Sequence, residues 1–346
     1  MAADLKILVT GSAGFIGHHL MLALRQISPL VVGLDSINSY YDVSLKYDRL
    51  KEQGFESSLI KYNRLIPSQA HSNLSFVQLD LADENALDNL FRTQQFDIVI
   101  NLAAQAGVRF SLEHPQSYVS SNLVGFANLL ECCRKYKIKH LLFASSSSVY
   151  GLDKNIPFST ENNTDYPISF YAATKKANEV MAHSYAHLYQ IPTTGMRFFT
   201  VYGPWGRPDM AYFSFTKAIL ENSTIRIYNY GEMFRDFTYI DDVVKGIEKL
   251  ITAYPQHPPK DAFSNAPYRI FNIGNSKPAP LLEMVNTLED LLGKKAVLDL
   301  QPMQPGDVVS TYADVSALQE ITGFSPATSL QEGLAQFTTW YRQYYA

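Results

Sequence analysis

One stretch near the N-terminus, Lys6-Ile7-Leu8-Val9-Thr10-Gly11-Ser12-Ala13-Gly14-Phe15-Ile16-Gly17, constrains the fold more than any other part of the chain. A short β-branched and aliphatic run ends in three glycines, and an apolar helical pattern follows at once. Gly11 lets a strand turn sharply, because a residue without Cβ tolerates positive φ. Gly14 puts no side chain between the backbone and a bound pyrophosphate, and Gly17 lets the following helix pack against the strand. The first amides of that helix, with its partial positive charge, then face a phosphate. The spacing is GxxGxxG, not the commoner GxGxxG, and glycine triplets also arise by chance. Context gives the pattern its weight. Leu30-Val31-Val32-Gly33-Leu34-Asp35 reads as a second strand ending in an acid, and Asp35 lies 18 residues after Gly17. A carboxylate near that spacing accepts the ribose hydroxyls of a dinucleotide.

Strand patterns at 6–10, 30–35, 74–79, 97–101, 139–146 and 193–199 alternate with helical patterns near 15–27, 83–93, 116–136 and 170–190. That alternation predicts parallel βαβ units, an α/β class with a Rossmann-type doubly wound parallel sheet. An insertion at 36–73 carries Tyr40-Tyr41-Asp42-Val43-Ser44-Leu45-Lys46 and predicts one short helix. After residue 200 the alternation breaks at Gly203-Pro204-Trp205-Gly206-Arg207-Pro208, and 253–268, with Pro255, Pro258, Pro259 and Pro267, reads as an exposed loop. The expected division is a dinucleotide-binding domain over 1–200 with a return segment near 235–253. A smaller C-terminal α/β substrate lobe over 201–346 then closes over it. Ligands of open α/β sheets sit beyond the carboxyl ends of the strands, so the cleft between the two is the expected site.

A chain of 346 residues has ample length for a core. A net charge of −4 without a basic cluster offers no electrostatic footprint for nucleic acid. No apolar run reaches membrane-spanning length, and the chain starts almost directly on its first strand, which points to the cytosol. Cys132 and Cys133 are adjacent within a helical pattern and read as packing residues, not as a disulfide or metal pair.

The chemistry-bearing residues come next. The strand Leu141-Leu142-Phe143-Ala144 runs into Ser145-Ser146-Ser147-Ser148-Val149-Tyr150-Gly151, four hydroxyls at a carboxyl end. Such a row either faces a ligand or is a solvated turn, since serine commonly ends strands. Twenty residues past Gly151 comes Tyr171-Ala172-Ala173-Thr174-Lys175. On a helix, positions i and i+4 share a face, so phenol and ammonium point the same way. A phenol with its ordinary pKa of ~10 is no base at neutral pH. A neighbouring ammonium and an oxidised nicotinamide ring favour the phenolate. Each pattern is weak alone; glycine loop, serine row and YxxxK in this order are specific together.

In these features the chain resembles the extended short-chain dehydrogenase/reductases, and within them the nucleotide-sugar epimerases, over nearly its whole length. The likeness rests on TGSAGFIG at 10–17, the serine row, Tyr171/Lys175, Arg197-Phe198-Phe199 and Arg235-Asp236-Phe237. It is most similar to the UDP-glucuronate 4-epimerases. That narrower likeness rests on Asn101-Leu102-Ala103-Ala104-Gln105-Ala106-Gly107-Val108-Arg109, on Gly203 through Ala211, and on Met303-Gln304-Pro305-Gly306-Asp307-Val308.

The resemblance implies that Ser146, Tyr171 and Lys175 are catalytic. It implies that NAD is held by Gly11, Gly14, Phe15, Ile16, Gly17, Asp35, Asp80, Leu81, Ala103, Ala104, Gln105 and Asn122, together with Tyr171 and Lys175. Substrate contacts would come from Arg109, Ser147, Ser148, Thr200, Arg207 and Arg235. Arg235 would bind the diphosphate, an anion suited to a bidentate guanidinium; its alternative is an ion pair with Asp236 or Glu232. Arg207 would bind the sugar carboxylate; its alternative is a surface pair with Asp209, worth little. The implied reaction is C4 epimerisation of a UDP-sugar through a transient 4-keto intermediate, above all UDP-glucuronate to UDP-galacturonate. Such a product would suggest synthesis of polysaccharide precursors.

Other outcomes compete with this one. The 4,6-dehydratases of this group place Asp-Glu directly after the catalytic Ser/Thr, where this chain has Ser147 and Ser148, so dehydration is not expected. Decarboxylation is a harder alternative, because a 4-keto glucuronate is a β-keto acid. UDP-N-acetylhexosamine and UDP-glucose are alternative substrates, although Gln304 stands where glucose-type epimerases carry an arginine. A non-catalytic dinucleotide-binding regulator and a plain oxidoreductase complete the set. NAD is expected over NADP because Asp35 repels a 2′-phosphate, with Lys46 and Arg49 as countervailing cations. The apolar positions Leu123, Phe126, Leu129, Leu130, Val180, Met181, Tyr185 and Leu188 either form a homodimer contact, common in this family, or pack on the sheet.

Overall fold

Ile7, Leu8 and Val9 are fully buried in β1 (Lys6–Thr10), which has a parallel neighbour on each side. A strand covered on both faces must be apolar throughout, and this run is. The computed structural model describes residues 5–255, 264–304 and 308–345. Part of the loop expected at 253–268, and Pro305, Gly306 and Asp307, lie outside the described residues.

The further strands are β2 (Leu30–Asp35), β3 (Leu65–Pro67), β4 (Leu74–Gln78), β5 (Ile98–Asn101), β6 (His140–Ser146) and β7 (Thr193–Phe198). They continue as β8 (Thr200–Tyr202), β9 (Thr224–Ile227), β10 (Phe234–Tyr239), β11 (Tyr268–Ile273), β12 (Pro278–Pro280) and β13 (Val297–Leu300). The helices are α1 (Phe15–Leu24), α2 (Ser44–Glu52), α3 (Glu84–Gln94), α4 (Phe110–Glu113), α5 (Pro115–Tyr118) and α6 (Gly125–Lys135). After them come α7 (Phe170–Tyr189), α8 (Ala211–Leu220), α9 (Ile240–Thr252), α10 (Leu281–Leu292), α11 (Ser316–Thr322) and α12 (Leu330–Tyr345).

Among the described residues eight strands form one sheet in the order β11-β7-β6-β5-β1-β2-β4-β3. The chain winds outward from β1 through β2 to β4, then crosses to β5 and winds the other way. The order therefore reverses beside β1, where open α/β sheets bind ligands. Two compact units result: one comprises 1–151, 163–197 and 247–271, the other 152–162, 198–246 and 272–346. In the first, a core of Leu8, Val32, Val99, Leu129, Leu141 and Phe143 joins sheet to helices, each side chain at most 2% exposed. Full burial of one such side chain contributes ~1.5–3 kcal/mol. Phe126, Leu129 and Leu130 belong to that core, and so do Cys132 and Cys133, whose thiols burial pushes upward in pKa.

Two stretches differ from their sequence expectation. The 36–73 insertion holds a 3-10 turn (Ser57–Leu59) and the edge strand β3 besides its helix α2. A three-residue antiparallel strand with Pro67 leaves almost no periodic signal to read. The single helix expected near 116–136 is instead α5, a π-helical turn (Val119–Val124) and α6, with the short α4 before them. Within the π turn, the Asn122 carbonyl accepts from Asn178 Nδ2 of α7 at 2.6 Å. A bond supplied from a second helix is not visible in local sequence.

The second unit is built on smaller sheets. β10 pairs in parallel with β8 (Phe237↔Thr200) and antiparallel with β12 (Arg235↔Ala279). β13 pairs in parallel with β9. Asp236 ties three segments together, accepting from the amides of Asn275 (2.6 Å), Ser276 (3.0 Å) and Ala313 (3.0 Å). Burial still raises its pKa, because desolvation outweighs those donors.

Candidate active site

In the first unit, β1 delivers the chain to Gly11, whose φ of +74 and close approach to Ala103 both demand glycine. A Cβ there would stand 2.8 Å from the Ala103 amide nitrogen. At Gly17 a methyl group would overlap the Gly11 carbonyl oxygen, so α1 packs against the loop at backbone contact. Gly14 caps α1, and the first intrahelical bond runs from His18 N to Gly14 O at 3.0 Å. Phe15, Ile16 and Gly17 thus sit in the first turn, where amides have no intrahelical acceptor and attract an anion. This cradle fits a dinucleotide pyrophosphate.

Asp35 ends β2 beside it. Its carboxylate accepts from Ala13 N (3.1 Å) and Ile37 N (2.8 Å), which fixes its plane at the loop. Lys46 Nζ of α2 is 3.9 Å away and also donates to Asn38 at 2.8 Å. Arg49, fully buried, donates to the Ala13 carbonyl at 3.0 Å and to Tyr41. These two cations are built into the loop's support. Asp80 follows β4 and receives the Ala82 amide at 2.9 Å, and Leu81 is buried.

Past β5, Thr10 Oγ1 donates to Asn101 and accepts from Ala103 N, joining the ends of β1 and β5. Ala104 is half-buried there. Asn122 clamps Gln105 through both its backbone groups, at 2.8 and 3.0 Å, and donates to Thr174 of α7 at 3.0 Å. The π turn thereby ties the end of β5 to the helix that carries Tyr171.

Ser169 caps α7, accepting from Ala172 N at 3.1 Å. One turn separates Tyr171 from Lys175, whose Nζ lies 6.0 Å from the phenol ring centroid and donates to Ala144 O at 3.0 Å. Burial alone lowers the Lys175 pKa to about 8. Tyr118 meets Tyr171 edge-on at 6.1 Å. Ser146 is the last residue of β6, its backbone extended, its hydroxyl accepting from Ser148 N (3.2 Å) and contacting Ser148 Oγ (3.1 Å). Ser147 and Ser148 start a 3-10 turn.

The four serines are not one row. Ser145 turns away and donates to Glu179 at 2.6 Å. Glu179 forms a bidentate pair with Arg197, at 2.8 and 2.9 Å, and both are nearly inaccessible. Arg197 also donates to Tyr150 at 3.1 Å and lies over its ring. This buried assembly underlies the end of β6.

In the second unit, Thr200 begins β8, half-buried. Arg235 Nη1 donates to the carbonyl oxygens of Phe234 (2.9 Å) and Val309 (3.2 Å), while its neighbour Asp236 is taken up by backbone amides. Arg207 and Asp209 form a fork of 3.0 and 2.6 Å, the pairing weighed above as the alternative. Arg109 is exposed at the N-terminal end of α4.

The model of the NAD dependent epimerase/dehydratase family matches residues 7–274, which include the cradle, the serines, Tyr171 and Lys175. The chain belongs to that family. It is 50% identical to Protein CapI of Staphylococcus aureus over 99% of each chain. It is 45% identical to a probable UDP-glucuronate 4-epimerase of Rhizobium meliloti, over 99% of this chain and 98% of that one. A crystal structure of UDP-glucuronic acid 4-epimerase from Bacillus cereus, in complex with UDP-glucuronic acid and NAD, matches with a TM-score of 0.85. Its identity is 33%, over 99% of this chain and 100% of that chain.

Within this NAD-dependent family member, sequence reasoning missed the buried polar supports on α7. Thr174, Asn178 and Glu179 share α7 with Tyr171 and Lys175, and their burial could have been suspected from the apolar stripe they interrupt. Their partners are 18 to 56 residues away along the chain.

Proposed function

We propose that this chain is an NAD-dependent 4-epimerase that interconverts UDP-glucuronate and UDP-galacturonate through a transient 4-keto sugar. The observation that carries this reading is the set Ser146, Tyr171 and Lys175 with only hydroxyls, Ser147 and Ser148, following the catalytic serine. The named activity of the Rhizobium relative and the ligands of the Bacillus structure support the choice of sugar.

The cradle of Gly11, Gly14, Phe15, Ile16 and Gly17 holds the pyrophosphate, and Asp35 takes the adenosine ribose. Asp80, Leu81, Ala103, Ala104, Gln105 and Asn122 complete the cofactor contacts, with Lys175 on the second ribose. Bound NAD supplies a reversible hydride acceptor. Tyr171 takes the proton from the 4-hydroxyl and later returns it. Ser146 donates to that oxygen as it becomes a carbonyl, and the Lys175 ammonium stabilises the phenolate. Rotation of the keto sugar then presents its other face, and the net redox change is zero. Arg109, Ser147, Ser148, Thr200, Arg207 and Arg235 are the proposed substrate contacts. Arg207, with Nε and Nη2 held by Asp209, is the group proposed to keep the carboxylate out of line with the carbonyl π system through its remaining donors, which suppresses loss of CO2.

A second copy of the chain is the proposed partner, through the α7 face on which Val180 and Leu188 are 58% and 63% exposed. Among the described residues no helix is long and apolar enough to cross a membrane. The cytosol and the supply of polysaccharide precursors are the proposed setting. Proton NMR of UDP-glucuronate incubated with the purified chain tests the reaction. Growth of UDP-galacturonate signals is expected; a pentose product would make the chain a decarboxylase instead.

A further inference from the structure

The chain has only two tryptophans, Trp205 and Trp340, and their rings meet at 5.2 Å. Trp205 lies in the loop between β8 and α8, and Trp340 in the C-terminal helix α12. Tyr344, one turn beyond Trp340, meets Trp205 edge-on at 5.2 Å and stacks on Trp340 at 5.3 Å with 20° between planes. Trp340 is itself anchored by Phe337 (5.8 Å) and by Phe213 of α8 (6.1 Å).

Trp205 also has a φ of +58. A bulky residue rarely adopts the left-handed region, and such strain persists only where surroundings over-determine it. Aromatic contacts stabilise beyond the area they bury, and two of them, from Trp340 and Tyr344, act on Trp205. The left-handed residue sets the direction in which the chain leaves the bend. Two positions later stands Arg207, with its guanidinium plane fixed by the Asp209 fork.

We propose that α12 is a positioning element for Arg207: Trp340 and Tyr344 hold Trp205 in its left-handed conformation and so fix the loop that presents the guanidinium to the sugar carboxylate. This rests on the reading of Arg207 given above. Recognition of a carboxylated sugar, in preference to a neutral one, then depends on the C-terminal helix. The proposed reacting groups stand on other elements, β6 and α7, so the chemical step is spared.

The test is steady-state kinetics of the full chain on UDP-glucuronate with product analysis by NMR, for Trp340→Ala, Trp340→Phe and Trp205→Gly. Trp340→Ala is expected to raise KM about tenfold with kcat within about twofold, the signature of lost uniform binding. A pentose product should appear beside UDP-galacturonate, and Trp340→Phe should restore both readouts. Trp205→Gly keeps the backbone conformation allowed but removes the aromatic hold, and is expected to match Trp340→Ala. Should Trp340→Ala fail to fold, Tyr344→Ala reads the same KM. Variants with a lowered Tm but wild-type KM and product ratio would overturn the clamp alone. A wild type that makes no UDP-galacturonate would overturn the substrate reading and the carboxylate role together.

Discussion

Lys175 joins two demands that oppose each other. In the proposed reaction its ammonium stays charged beside Tyr171, yet burial lowers its pKa from 10.5 to about 8. Below pH 8 both folded and unfolded chains hold the proton; between about 8 and 10.5 the unfolded chain holds more. Stability from this group therefore rises with pH across that window. Activity moves the opposite way, falling as the cation is lost above about pH 8. Urea denaturation of wild type and Lys175→Met should show the variant's stability advantage shrinking from pH 8 to 10.5, and a constant difference would contradict the account. Ser146, Tyr171 and Lys175, the proposed reacting groups, could be placed from the sequence because their pattern is local: a strand end, then an i, i+4 pair on one helix. Arg197 was legible only as part of a motif, since its partner Glu179 lies on another element. Glu179→Gln leaves the guanidinium buried without its countercharge and is expected to cost ~3–5 kcal/mol in urea unfolding.

The glycine loop and α1 act as one element, and here sequence and structure meet most closely. Gly11 and Gly17 are required by positive φ and by backbone overlap, both of which leave a one-letter trace. Gly17→Ala must push α1 off the loop, and NAD affinity measured by calorimetry is expected to fall at least about tenfold, ~1.4 kcal/mol. Unchanged affinity would mean that the cradle does not hold the pyrophosphate. The π turn at Val119–Val124 left no such trace, because a bond from Asn178 supports it. Asn178→Ala is expected to loosen Asn122 and Gln105 together, read as faster hydrogen exchange at Gln105 N. Edge strand β3 was equally hidden, being too short for a period.

At the scale of the whole molecule, the parallel strands β1, β2, β4, β5, β6 and β7 follow from the alternation read along the first 200 residues, whereas the two end strands of the sheet, β3 and β11, do not. The second unit was less legible: its sheets have two or three short strands, and Asp236 joins segments up to 77 residues apart. Among the apolar helix positions, Phe126, Leu129 and Leu130 pack on the sheet, whereas Val180 and Leu188 face outward. Leu188→Lys with Val180→Lys is expected to halve the mass seen by light scattering; a monomeric wild type would contradict the proposed pairing. In the proposed reaction cycle the cofactor begins and ends in the same state. This is tested most directly by proton NMR of the purified chain with UDP-glucuronate and no added cofactor, beside Tyr171→Phe. The account predicts UDP-galacturonate in the wild type alone. Equal conversion by both proteins, or a requirement for stoichiometric NAD, would contradict it.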